Sequence, residues 1–149
     1  LIAAINSQVF SASFIWTGNS SSSWTVSGNW SGGGGGTPGS GDNITINSNA
    51  PNNLSLTQNQ SVTNFTINGD TLDLGSYSLT TTGVTYFYGG KVLNGDMNIS
   101  GSLCHFGGAV SDARIEATCG YYHMNGGTFL RPVILVSTGQ HEWKWQLYF

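Results

Sequence analysis

The chain has 149 residues, of which only 7% are charged, and its four Lys/Arg against seven Asp/Glu give a net charge of −3. That balance excludes the clustered basic residues on which nucleic-acid and polybasic membrane binding depend. Gly, Ser, Thr and Asn fill 70 of the 149 positions, which excludes a mainly helical fold, and a 38% hydrophobic, 12% aromatic content is too rich for a chain that stays unfolded.

From the start of the chain, residues 1–12 (Leu-Ile-Ala-Ala-Ile-Asn-Ser-Gln-Val-Phe-Ser-Ala) read as the remnant of a signal peptide, apolar first and small-residued after. The alternative is a first strand. No stretch reaches the roughly 20 apolar residues of a membrane helix. Residues 13–41 form a Trp/Gly-rich cap and loop: Trp16, Trp24 and Trp30 stand among Gly, Asn and Ser, and the glycine run 32–36 with Pro38 breaks regular structure. From residue 42 the pairs Ile44/Ile46, Leu54/Leu56, Phe65/Ile67 and Leu72/Leu74 recur at period two, each bounded by turn formers. They predict short strands with one buried face.

An internal repeat decides the architecture. Gly-Gly pairs stand at 89–90, 107–108 and 126–127, spaced 18 and 19 residues apart. Three residues after the first Gly of each pair come Val92, Val110 and Phe129. Met97, Ile115 and Ile134 follow at +8, and Ile99, Ala117 and Val136 at +10. A unit this short cannot bury its own apolar face, but stacked about 4.8 Å from the next it aligns like residues in ladders. The prediction is an all-β, right-handed parallel β-solenoid with 18–19-residue rungs over 42–139, with an antiparallel β-sandwich as the alternative. Residues 140–149 lack a glycine corner and read as an irregular tail, at most opened by a closing strand.

Two stretches carry a family resemblance. One is Phe14-Ile-Trp-Thr-Gly18, Trp24-Thr-Val-Ser-Gly-Asn-Trp30 and Pro38-Gly-Ser-Gly-Asp-Asn-Ile-Thr-Ile46; the other is the run of Asn-Gly and Gly-Gly corners from Val62 to Gly139. Together they resemble the β-helix repeat regions of secreted and surface proteins of Bacteroidetes-type bacteria, autotransporter-like and adhesin-like, exported through a C-terminal sorting domain. The resemblance implies a secreted or cell-surface protein, adhesive or stalk-building and not an enzyme. It brings no catalytic residue with it, and no sorting domain is recognisable in this sequence. Surface glycans or further copies of the chain are the expected partners, with no nucleic acid and no membrane span.

The chemistry-bearing residues each have a competing structural reading. Tyr86, Tyr88, Phe106, Tyr121 and Tyr122 cluster just before the Gly pairs and form a candidate glycan-contact strip, since aromatic faces stack on sugar rings. Alternation would turn some of them inward instead. A polysaccharide-cleaving β-helix, the enzymatic alternative, needs paired carboxylates beside a cation. Asp96, Asp112, Arg114 and Glu116 are the nearest approach, with Asp70, Asp73 and Arg131 further off; all read more simply as solvated outward positions. Tyr86, Cys104 and His123 share the position three before each Gly pair, so Cys104 and His123 stack on adjacent rungs. With His105 they suggest a metal, but two or three side chains are too few for a zinc site, and neither metal nor cofactor is expected. In this register Cys119 lies over about 10 Å from Cys104, beyond the ~7 Å limit of a disulfide. Thr80-Thr81-Thr82 is the one Thr run an ice-binding ladder could use, and no Gly pair fits a calcium-binding repeat.

Overall fold

Apolar residues at every second position explain why each strand has one buried side. In Asn43–Ile46, Asn64–Ile67, Val84–Phe87 and Asp96–Ile99 the second and fourth residues are buried and the first and third only partly so. The computed structural model describes residues 11–118, 121–130, 134–136 and 140–143. Within them the chain is a parallel β-solenoid whose coils each place one strand in each of three sheets. Strands one repeat apart pair in parallel, which excludes the sandwich.

The register follows the repeat. Val92 pairs with Val110 and Val110 with Phe129; Met97 with Ile115 and Ile115 with Ile134; Ile99 with Ala117 and Ala117 with Val136. Inside the solenoid the columns Phe14–Ile44–Phe65–Thr85–Leu103 and Trp16–Ile46–Ile67–Phe87–His105 belong to the first sheet. Leu54–Leu72–Val92–Val110 come from the second and Val62–Thr81–Ile99–Ala117 from the third. Every one of these residues is buried. Each large apolar side chain so buried contributes roughly 1.5–3 kcal/mol. Thr81, Thr85 and His105 are the polar exceptions, and the two threonine hydroxyls bond each other at 2.7 Å.

The later coils keep the 18–19-residue length, but the first two are longer: Ile44 pairs with Phe65 and Phe65 with Thr85. The extra residues sit in the 47–53 loop and in the turn closed by the Tyr77 N–H on the Leu74 carbonyl. At the corners the second glycine of each pair has positive φ (+75° at Gly90, +82° at Gly108, +86° at Gly127). A Cβ at Gly108 would also stand 2.7 Å from the Gly89 carbonyl group, so a side chain is excluded by both backbone angle and space.

Residues 13–41 are part of the first sheet as well as a cap. Ser13–Trp16 lies parallel to Asn43–Ile46, and Trp30–Gly32 closes the sheet antiparallel against Ser13–Trp16. Trp30 packs edge-on against Phe14, Trp16 and Trp24, with ring centroids 4.9–6.3 Å apart. Each indole N–H donates to a carbonyl: Trp16 to Asn52, Trp24 to Pro38, Trp30 to Trp24. Of the expected leader remnant, residues 1–10 lie outside the described residues. Ala12 is tied to the fold, its N–H donating to Asp42 Oδ1 at 2.9 Å. Of the expected irregular tail, Gln140–Trp143 forms a strand parallel to Tyr121–Met124, and 144–149 lie outside the described residues.

Candidate functional site

The outward positions of the first sheet change character along the axis. Near the cap they hold Asn43 and Asn64, whose side chains bond at 2.7 Å, and at the sheet's border Asn47 and Asn68 do the same at 2.9 Å. Further along come Tyr86, Cys104 and His123, register partners on successive rungs. Tyr88 and Phe106 follow the strands one position beyond the sheet, where the Tyr88 and Phe106 N–H groups still continue the ladder.

There the rings form one stack. Tyr86 and Tyr88 lie near-parallel, 13° apart with centroids at 5.4 Å; Tyr88 and Phe106 do likewise at 11° and 5.2 Å. His123 continues it, tilted 45° to Phe106 at 5.3 Å. Tyr88 is 49% and Phe106 37% exposed, while Cys104 is buried. Three of the five expected strip residues are thus brought together, and His123 joins them. Tyr121 takes the register position of Val84 and Ser102, and Tyr122 that of the buried Thr85 and Leu103. The side chains of these two tyrosines lie outside the described part. Tyr88 thus stacks on two neighbours in near-parallel contact while half of its surface stays exposed.

His105 points the other way. It sits in the inward column two residues before the Gly pair, between Phe87 and Met124, and is fully buried. The Phe87 ring meets it edge-on at 5.4 Å. Burial pushes its imidazole down to about 4, against a hydrogen bond with the Gly107 backbone that raises it. The sequence reading grouped His105 with Cys104 and His123, but strand alternation turns it to the face opposite Cys104, a signal that could have separated it from His123. Among the described residues no three of His, Cys, Asp or Glu are grouped to hold a metal ion.

The carboxylates divide between ion pairs and corners. Asp96 and Arg114 are register partners, and Arg114 reaches Glu116 at 2.6 Å and Asp96 at 3.8 Å, all three partly exposed. Asp112 sits apart from them at a left-handed corner (φ +55°), where Ser111 Oγ donates to it. Asp70 accepts from the Thr71 N–H, and Asp73 from the Gly75 N–H and the Asn94 amide, so both shape turns. Asp42 clasps the cap, accepting from Ala12 and Gly39 N–H groups. Arg131 and Cys119 lie outside the described residues.

Sequence reading missed Asn29, which is fully buried and uses its whole side chain. Its Oδ1 accepts the Ser20 and Ser21 N–H groups, and its Nδ2 donates to Ser21 Oγ and the Ser23 carbonyl. An Asn in an Asn/Ser/Gly-rich loop carries no signal that distinguishes it from a solvated one. The fold and these outward ladders define a parallel β-solenoid. No protein-family model, curated protein or solved structure matches the chain.

Proposed function

We propose that the chain is a non-enzymatic segment of a secreted or cell-surface protein, a stiff stalk or adhesive module with recognition carried on its outward columns. The observation behind this reading is the unbroken in-register stacking of inward columns over coil after coil. Backbone ladders tie each coil to its neighbours, and the core runs continuously along the axis, which suits a spacer. The carboxylates a hydrolase or lyase would require are engaged in turns and in the Asp96–Arg114–Glu116 cluster. The resemblance to exported β-helix repeats points the same way.

Two measurements test it. An antibody against residues 42–139 should find the native polypeptide at the cell surface or in the medium; a cytosolic location overturns the reading. Incubation with a panel of polysaccharides should release neither reducing ends nor unsaturated uronides. Release that Asp96→Ala or Asp112→Ala abolishes would make the protein a polysaccharide-cleaving enzyme instead. A second reading, direct glycan contact by the ring stack, draws on the exposure of Tyr88 and Phe106. It predicts that Tyr88→Ala removes glycan binding.

A further inference from the structure

The third sheet turns two polar columns outward. Ser61, Thr80, Asn98 and Glu116 are in register along one, and Ser78, Asp96 and Arg114 along the other. Where the first column meets the following corner, a cavity of about 330 Å³ opens, lined by Thr80, Asn98, Ile99, Ser100, Glu116 and Thr118. It is a shallow, open depression on the sheet surface rather than an enclosed pocket. Five of the six lining residues carry a side-chain hydroxyl, amide or carboxylate. The guanidinium of Arg114 holds the Glu116 carboxylate at one end of the groove, leaving its remaining acceptor capacity for an incoming donor.

The chemistry selects among ligands. Asp96, Arg114 and Glu116 together leave the groove acidic, on a chain that is itself acidic, so polyanions are disfavoured. The lining lacks the aromatic walls a flat apolar ligand needs, but it suits a ligand that both donates and accepts hydrogen bonds at short intervals. Along the axis the groups repeat at the rung spacing of about 4.8 Å, close to the length of one pyranose in an extended polysaccharide. We propose that this groove docks a neutral, hydroxyl-rich linear polysaccharide lying along the solenoid axis, with Asn98 and Glu116 as its principal hydrogen-bonding residues. The proposal rests on the adhesive reading above and moves recognition from the ring stack around Tyr88 to the third sheet.

Affinity electrophoresis of the whole 149-residue chain tests this, in gels containing mixed-linkage β-glucan, glucomannan or hydroxyethyl cellulose, with polygalacturonate as the anionic comparison. At least one neutral glycan should retard the protein. Asn98→Ala and Glu116→Gln should each weaken that retardation about tenfold, with Tyr88→Ala unchanged and melting curves showing all three variants folded. Retardation lost in Tyr88→Ala and kept in Asn98→Ala overturns the groove while leaving the adhesive reading in place. Retardation by polygalacturonate alone, or by no glycan, also overturns the groove; location and the absence of cleavage then judge the stalk reading separately.

Discussion

The coils beside the cap and the coils beyond residue 83 share one backbone ladder and fill it with different chemistry. Near the cap many polar groups have a specific partner: three indole N–H groups on three carbonyls, Asn29 with four hydrogen bonds, and Asn43–Asn64 and Asn47–Asn68 side-chain pairs outside. Beyond it the outer amides give way to stacked rings, and the inner column admits a histidine beside Phe87. The backbone register and the apolar core are thus common to both regions, which differ in the polar and aromatic groups laid over them. Side-chain chemistry instead sets what each region resists, and in what solvent.

The largest effect should come from the part common to both regions. Ile115 is fully buried, in register with Met97 and Ile134, so Ile115→Asp places a carboxylate in the core and should abolish the cooperative melting transition. A melting temperature unchanged from the parent chain would mean the ladder register is wrong. On the cap side, Asn29→Ala should cost about 2 kcal/mol, since it leaves the Ser20 and Ser21 N–H groups without their partner, while the Ser23 carbonyl keeps the Val26 N–H. Urea denaturation measures this, and a loss below about 1 kcal/mol would remove Asn29 from its central role.

The same comparison sharpens with pH. Burial holds His105 near 4 in the fold against 6.5 unfolded, so above 6.5 the imidazole is neutral in both states and contributes no pH dependence. As pH falls from 6.5 towards 4 the unfolded chain binds the proton first, and stability drops by on the order of 3 kcal/mol before levelling off below the folded value. The change should be read as a lower melting temperature at pH 4.5 than at 7.5, and His105→Met should flatten it. An equally steep pH dependence in that variant would place the sensitivity elsewhere. The smallest effect belongs to Arg114→Ala, whose ion pairs are partly exposed and should contribute below about 1 kcal/mol. A melting temperature more than a few degrees lower would show the cluster to be structural.

Much of this was legible before any coordinates. The Gly-Gly repeat gave the pairing of Val92 with Val110, of Met97 with Ile115 and of Cys104 with His123, because a solenoid turns sequence period directly into spatial neighbours. The inward turn of His105 was not read from the sequence, which grouped it with Cys104 and His123, although alternation along Ser102–His105 carries that signal. Less legible were the first two coils, since the 47–53 loop and the turn at Leu74–Tyr77 lengthen the repeat beyond 18–19 residues. That added loop has a use: Asn52 accepts the Trp16 indole and donates its own amide to the Gly18 carbonyl, locking cap to coil.

By itself, then, the sequence determined the class of fold and the inward columns that follow the Gly pairs, because each follows from local alternation and a regular period. Tertiary structure alone decided that the rings of Tyr86, Tyr88 and Phe106 stack on one another, that Arg114 joins Asp96 to Glu116, and that a polar groove opens beside Ser100. Those outcomes depend on side-chain rotamers and on how neighbouring columns of unequal size meet at a corner, quantities that a one-dimensional pattern of apolar and polar residues does not contain.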